Sequence, residues 1–267
     1  MYSRNLLLFL LIGMHNANLS LRARTFLALF SRQIVTKYNI YSRHFHIKTF
    51  TQNRIGPHNL DVISVLVGCL LGDGHARISK AKVIGTRFRF KQSGRHKDYL
   101  FFLYNFFWIR GYCTDAGPKQ YKTILINSLN AKKIHYGYEF SLYTFSSLNW
   151  LYNLLYVDGI KTIKPELINY LTPMSLAFLI MDDGCWVGGS KSVRIATNNF
   201  TREEVELLKS MFETKFGLNC TVQLLSKKGG NTPKDKYSIY VKVASIPKLR
   251  ELVLPYMHPK MLYKLGL

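Results

Sequence analysis

Two aspartates end two apolar segments of this sequence, where a buried helix gains nothing from a negative charge. Asp73 ends the stretch VLVGCLLGDG just before its last glycine, and Asp183 ends SLAFLIMDDG in the same way. Each stretch predicts a short buried helix, and Thr172, Pro173 and Gly184 are typical of the two ends of the second helix. A carboxylate in the last turn opposes the helix dipole at a cost of about 0.3–1 kcal/mol. A cation at each helix end would offset that cost.

The two predicted helices are suited to close packing, because they carry small residues. Gly68 and Gly72 lie in the first helix and Ala177 in the second. Packing at a common axis would bring Asp73 and Asp183 together at the C-terminal ends. Paired carboxylates offer oxygen ligands, which suit Mg²⁺ that keeps several waters and also binds a substrate phosphate. The sequence therefore predicts a Mg²⁺ site of the kind that serves in-line phosphodiester hydrolysis.

The segments that follow the two aspartates repeat in the same order. The corresponding pairs are 86–92 with 192–198, 96–107 with 201–212, 136–145 with 236–245, and 146–156 with 245–256. This repetition predicts an α+β fold of two αββαββα half-domains with antiparallel sheets, related by pseudo-twofold symmetry. We place the first half-domain at residues 51–160 and the second at residues 161–267.

The predicted strands alternate between apolar and basic residues, so each sheet should have one core face and one cationic face. The expected core side chains are Phe88, Phe90, Val193, Ile195, Tyr237, Ile239, Val241 and Val243. The opposite face should expose Ser192, Ser238 and Tyr240 together with the candidate DNA-binding residues Arg87, Arg89, Lys91, Arg194, Lys236 and Lys242. The net charge of +22 also favours a polyanionic partner. Two such sheets side by side would form a saddle that follows a DNA duplex.

Residues 1–50 differ from the rest of the chain, since residues 1–60 contain no Asp or Glu and several arginines. This composition is typical of a mitochondrial transit segment. A secretory signal and translated upstream sequence of an organelle gene are the alternatives, so we leave this leader out of the fold. The cysteines Cys69, Cys113, Cys185 and Cys220 form no CxxC pair and are expected to be reduced. No apolar run reaches the length of a membrane-spanning helix, and we expect no membrane partner.

The segments LVGCLLGDG (66–74) and LAFLIMDDG (176–184) resemble the two signature helices of LAGLIDADG homing endonucleases. The second half also carries NYLTPMSLA, FTREEVELL and MLYKL, which are similar to a monomeric member encoded by a yeast mitochondrial intron. The resemblance covers about residues 55–267. It is specific in the second half and weaker in the first.

This resemblance implies a role for individual residues. Asp73 and Asp183 fall on the metal-binding catalytic aspartates of the family, and Lys161 and Lys264 on the basic residues near its two cleavage centres. Gln92 and Asn198 fall on polar groups that position water. The implied activity is Mg²⁺-dependent, staggered cleavage of double-stranded DNA at a long, rare site by a monomer.

The sequence is also consistent with two other functions. One is an RNA-binding maturase that assists splicing of its host group I intron, and the other is a degenerate relative that only binds DNA. The expected location is the mitochondrion, with the plastid as the alternative.

The signature also shows departures from the family pattern. Phe178 and Met181 replace its Gly and Asp, while Gly72 and Asp182 replace its Ala. The bulky Phe178 predicts a looser fit between the helices at that point. Asp182 precedes Asp183 by one residue and should point about 100° away from it, so we do not expect it to bind metal.

Overall fold

In the computed structural model, the described residues are 50–54, 56–79, 84–126, 132–226 and 235–267. The leader proposed at residues 1–50 lies outside them apart from Phe50, so its assignment stays a prediction. The described residues contain no helix that is long and apolar enough to cross a membrane.

Two consecutive units of the same order make up the fold. The first consists of α1 (Leu60–Leu71), β1 (His75–Ser79), β2 (Gly85–Ser93), α2 (Lys97–Ile109), β3 (Lys119–Ile126), β4 (Lys132–Ser141) and α3 (Asn149–Leu155). A short hairpin of β5 (Tyr156–Val157) and β6 (Ile160–Lys161) follows. The second consists of α4 (Pro173–Asp183), β7 (Gly184–Val187), β8 (Ser192–Ala196), α5 (Arg202–Phe216), β9 (Cys220–Ser226), β10 (Lys236–Val241) and α6 (Ile246–Val253).

The sheets of the two units have the same topology. Their strand orders are β1-β2-β4-β3 and β7-β8-β10-β9, and all neighbouring strands are antiparallel. The helices cover one face of each sheet and bury the apolar side chains of the strands. This arrangement confirms the predicted α+β fold of two αββαββα half-domains.

Helices α1 and α4 pack directly against each other between the two units. The two helix backbones come close together because α1 has Gly68, which has no side chain, at the point of contact. A Cβ atom on Gly68 would lie 2.3 Å from the carbonyl oxygen of Ser175 and 2.9 Å from Cβ of Phe178. The looser fit predicted at Phe178 is therefore wrong, since Gly68 makes room for its Cβ. The Phe178 ring stacks on Phe102 of α2, with 6.2 Å between ring centroids.

Helix α4 begins and ends where the sequence predicts. The Thr172 hydroxyl accepts a hydrogen bond from the Ser175 amide, and the Ser175 hydroxyl accepts one from the Thr172 amide. This capping box satisfies two amides that the first turn leaves without helical partners. Gly184 has extended backbone angles and ends the helix directly after Asp183. The local sequence thus fixes where the carboxylate stands.

The alternation of the strands is confirmed for most side chains and wrong for three. Ser192 and Ser238 are buried rather than exposed, with 5% and 0% of their surface accessible. A short side chain in an inner strand is covered by its longer neighbours, and both β8 and β10 are inner strands. Val243 is 56% exposed rather than in the core, because β10 ends at Val241 and the chain turns there.

Candidate active site

The C-terminal ends of α1 and α4 open onto one cleft of about 280 Å³. Its lining residues are Gly72, Asp73, Gly74, His75, Lys161, Asp183, Ala196, Asn198 and Asn199. The structure therefore brings Asp73, Asp183, Lys161 and Asn198 together, as the sequence predicts. The Asp73 side chain is exposed to solvent, while Asp183 is partly buried.

Two lysines occupy equivalent places at the two helix ends. Lys161 Nζ donates a hydrogen bond to the Gly72 carbonyl oxygen at 2.6 Å, and Lys264 Nζ donates one to the Asp182 carbonyl oxygen at 2.7 Å. Each carbonyl belongs to the residue just before the candidate catalytic aspartate. Helix-end carbonyls lack helical partners and carry partial negative charge, so each ammonium group stabilises its helix end.

These two lysines alter the balance of charge at the helix ends. Each helix end already has a cation beside it, supplied by the chain itself. Asp183 lies in the last turn of α4, while Asp73 lies two residues beyond the end of α1 rather than in its last turn as predicted, so neither position by itself requires a metal. What still favours a metal is that two carboxylates face the same cleft.

Burial and like charge act on the acids of the cleft. Burial raises the pKa of Asp183 to about 6, and the charge of Asp73 adds to this shift while Lys161 and Lys264 oppose it. Burial also lowers the pKa of both lysines, and the nearby carboxylates counteract that effect. In the free protein, burial and the charge of Asp73 therefore disfavour the ionised form of Asp183. A cation bound between the two carboxylates would reduce this repulsion.

The raised pKa of Asp183 predicts a pH effect on the metal-free protein. Folded Asp183 keeps its proton up to about pH 6, whereas an ordinary carboxyl group releases it near 3.8. The folded state therefore binds more protons between these values, and Asp183 makes the free energy of unfolding fall as the pH rises. Asp183→Asn should gain stability relative to the wild type from pH 4 to pH 6 in urea titrations with chelator.

A suitable control is Asp98→Asn, because the hydrogen bond and charge of Lys260 hold the pKa of Asp98 below its usual value. That variant should be less stable than the wild type by a nearly constant amount from pH 4 to pH 6, because a lowered pKa changes stability with pH only below the ordinary value of 3.8. An Asp183→Asn curve parallel to the wild-type curve would contradict the assignment of the raised pKa.

Gln92 and Asp182 join the site in a way that the sequence did not predict in full. Gln92 Nε2 donates to Asp73 Oδ2 at 3.0 Å and lies 3.4 Å from Asp182 Oδ1. The Tyr99 hydroxyl donates to the same Asp182 oxygen at 2.9 Å. The sequence predicted an angle of about 100° between Asp182 and Asp183 on the helix, but it did not predict that Asp182 contacts Gln92 and Tyr99. The Asp182 side chain faces α1, where a Cβ on Gly72 would lie only 2.6 Å from Asp182 Cβ.

Comparison with known proteins places this arrangement in a family. The sequence matches the LAGLIDADG DNA endonuclease family over residues 63–249. This chain belongs to that family. Its signature helices are α1 and α4, and the aspartates of the cleft stand at the last aspartate of each signature.

Individual relatives of this LAGLIDADG chain include both endonucleases and maturases. The cytochrome b mRNA maturase bI2 of Saccharomyces cerevisiae is 36% identical over 221 residues, an alignment covering 80% of this chain and 49% of that protein. The intron-encoded endonuclease ai4 of Dictyostelium discoideum is 42% identical over 166 residues, covering 62% and 99%. The chain thus spans about half the length of the yeast relative.

Among solved structures, this LAGLIDADG chain resembles a homing endonuclease over most of its length. That structure is the homing endonuclease I-WcaI bound to its DNA recognition sequence, with a TM-score of 0.64 and 26% sequence identity. The match covers 80% of this chain and 90% of the other.

The basic face of the first sheet carries an acid that the sequence analysis missed. Arg87, Arg89 and Lys91 of β2 are exposed as expected. Glu139 of β4 lies opposite Lys91 and pairs with both Arg89 and Lys91, at 2.5 and 2.9 Å. Arg89 and Glu139 are 50 residues apart in the sequence, and the pairing of their strands brings them together. No local sequence pattern predicts this ion pair. The face is cationic on balance, but two of its three β2 cations are partly neutralised.

In the second sheet, the candidate cations are less uniformly exposed. Arg194 of β8 is partly buried opposite Tyr240, whose hydrogen bond raises the pKa of Arg194. Lys236 begins β10 and is also partly buried. Lys242 is exposed but lies one residue beyond the end of β10.

Proposed function

We propose that this chain is a site-specific, double-strand DNA endonuclease of the intron-homing type. The observation that carries the proposal is the cleft shared by Asp73 and Asp183, which stand at the ends of two packed helices below two partly cationic sheets. Each half-domain supplies one carboxylate, and one lysine binds the chain beside each carboxylate. Such duplication suits the cutting of two antiparallel strands by one polypeptide, so we expect a monomer to be active.

The residues of the cleft fit Mg²⁺. Asp73 and Asp183 would hold it, and no group of three or more His, Cys, Asp or Glu side chains offers an alternative metal site within the described parts of the chain. Two carboxylates in an open cleft leave coordination positions for water and phosphate, as Mg²⁺ prefers. When bound, the ion would stabilise charge that develops on the phosphate. Lys161 and Lys264 would add positive charge beside it, and Gln92 would orient Asp73.

Cleavage of defined DNA tests the proposal. The full chain would be incubated with Mg²⁺ and plasmids carrying the host gene with or without its intron. The expected result is cutting of the intronless plasmid alone, because insertion of the intron divides the recognition site. Failure to cut either plasmid under conditions where the protein binds the intronless site would refute the endonuclease assignment.

DNA binding should depend on the cations of the sheets. In Mg²⁺-free buffer, affinity for the intronless site should fall steeply with salt, with a log–log slope of about −0.9 for each neutralised phosphate. Arg89→Ala and Arg194→Ala should each weaken binding, and loss of one phosphate contact should reduce the slope by about 1. Fluorescence anisotropy over a salt series measures both quantities.

Lys209→Ala serves as the matched control for this binding test. Lys209 lies on α5 and pairs with Glu206 and Glu213, outside the strands. Its replacement changes the net charge equally but should leave affinity almost unchanged. Equal losses for all three variants would show that net charge, rather than the sheet face, attracts the DNA.

A second candidate function is an RNA-binding maturase. It is favoured by relatives named as cytochrome b mRNA maturases, which are 36% and 35% identical to this chain. The same cationic face could bind the host intron RNA. A splicing assay with that RNA separates the two functions, because a maturase role should survive replacement of Asp73 and Asp183 by Asn while cleavage is lost.

The same assays also decide the remaining alternatives. Binding without cleavage or splicing would identify a degenerate relative.

We propose the mitochondrion as the location of this protein, with the plastid as the alternative. Fluorescence microscopy of the full chain fused to a fluorescent protein would show which organelle contains it.

A further inference from the structure

We propose that Asp182 and Tyr99 position Gln92 and, through Gln92, the carboxylate of Asp73. The two half-domains would then orient their catalytic carboxylates through different contacts. The functional part of this inference rests on the proposed endonuclease activity. Asp182 and Tyr99 are positioning residues here, since Asp182 accepts hydrogen bonds from Tyr99 and Gln92 and neither Asp182 nor Tyr99 lines the cleft.

The chain of contacts is continuous and leads from the core to the cleft. Tyr99 is only 1% exposed, and its hydroxyl donates to Asp182 Oδ1 at 2.9 Å. Gln92 Nε2 lies 3.4 Å from the same oxygen and donates to Asp73 Oδ2 at 3.0 Å. Asp73 itself is exposed. The buried Tyr99 and the partly buried Asp182 therefore hold the exposed carboxylate of Asp73 through the side-chain amide of Gln92.

The amide geometry explains how this contact fixes Gln92. The side-chain nitrogen of glutamine has two hydrogens, which can serve two carboxylate acceptors at once. Contacts to Asp73 and Asp182 therefore hold the amide with its nitrogen toward the acids and its oxygen on the opposite side. Without Asp182, the amide could turn over, and Asp73 would lose its fixed donor.

The second half-domain lacks the corresponding contacts. By the repeat, Gly72 stands where Asp182 stands, and Gly72 has no side chain to offer. Asn198 corresponds to Gln92, is one methylene shorter, and makes no hydrogen bond to Asp183 within the described part of the chain. The Asp183 centre is therefore built without the anchor that serves Asp73.

The residue that corresponds to Tyr99 in the second half-domain makes its hydrogen bonds outside the cleft. This residue is Glu204 of α5, whose carboxylate accepts a hydrogen bond from the Thr201 amide in the capping box of the helix. It also accepts from the Thr162 hydroxyl at 2.5 Å and the Ile163 amide at 3.1 Å. Glu204 thus joins the second unit to the segment before α4 and does not serve the cleft.

The first test observes Gln92 directly in the full-length free protein, without DNA or metal. In wild-type protein, the two side-chain amide protons of Gln92 should give separate nuclear magnetic resonance signals with slowed solvent exchange. Asp182→Ala and Tyr99→Phe should move these signals together and speed their exchange. Tyr104→Phe is the matched control, because it removes a hydroxyl on the same helix that donates to the Thr114 carbonyl. Unchanged Gln92 signals in both test variants would overturn the positioning role.

The second test measures nicking of each strand of the cleavage site with separate end labels. Loss of a group that orients a metal-binding side chain typically costs about 10–100-fold. Asp182→Ala and Tyr99→Phe should slow one strand by about this factor and the other strand much less. Asn198→Ala should instead slow the other strand. Asp182→Asn keeps an acceptor oxygen and should recover most of the lost rate.

The two tests separate this inference from the proposed function. Equal slowing of both strands by Asp182→Ala and Tyr99→Phe would overturn the inferred asymmetry while leaving the endonuclease assignment intact. A wild-type protein that cuts neither strand would refute the endonuclease, and with it the functional part of the inference. The positioning of Gln92 would still be decided by its resonances.

Discussion

Asp183→Asn should reduce single-turnover cleavage by several orders of magnitude while target binding survives, and Asp73→Asn should do the same. Each substitution removes a full negative charge from a site proposed to hold Mg²⁺ beside a phosphate, and loss of such electrostatic stabilisation has large effects. Binding could tighten, because repulsion between carboxylate and phosphate is relieved. Rapid-quench cleavage and anisotropy binding measured in parallel would separate the two quantities.

The lysines of the site should have smaller effects than the aspartates. Lys161→Ala and Lys264→Ala remove a cation near the phosphate but leave both carboxylates in place. Because each ammonium also binds a helix-end carbonyl, these variants should lose some stability as well, which thermal unfolding would report.

The matched control for the aspartate variants is Asp98→Asn, since Asp98 is half exposed and pairs with Lys260. Its cleavage rate should stay within about twofold of the wild-type rate, as for most surface changes away from a site. An Asp183→Asn protein that cuts at nearly the wild-type rate would show that another residue holds the metal.

Gly68→Val should give the largest loss of stability among single changes in the helix pair. A Cβ at this position would lie 2.3 Å from a backbone oxygen of α4, so the two helices must separate to admit any side chain. Overpacking of this kind costs about 1–3 kcal/mol or more, and valine adds two methyl groups beyond Cβ. Urea denaturation in the absence of DNA would measure the change in the free energy of unfolding.

Separation of the helices should also disturb the cleft, because both aspartates stand at the ends of this pair. Cleavage by Gly68→Val should therefore fall even under conditions where the protein remains folded. Gly189→Val is the control, since a Cβ placed on Gly189 would have no heavy atom within 4 Å beyond those of Gly189 and its two chain neighbours. Equal stability of both variants and the wild type would contradict the close contact of α1 with α4.

The sequence by itself determined the features that depend on neighbouring residues. Thr172 and Gly184 set the limits of α4, and these limits place Asp183 at the helix end. The alternation of Phe88 and Phe90 with basic residues gave β2 its two faces. The repeat of these local patterns was enough to predict two half-domains and a pair of facing carboxylates. Local steric and hydrogen-bonding preferences act over a few residues, so they can be read directly from the order of the chain.

The tertiary structure alone decided what surrounds those carboxylates. The helix period gave the angle between Asp182 and Asp183, but only the packing of α1 on α4 turned Asp182 toward Gln92. In the same way, folding brought Lys161 to the carbonyl of Gly72 across 89 residues of chain. Contacts between distant segments depend on how closely whole elements approach each other, and that distance is set by packing in three dimensions rather than by any local pattern.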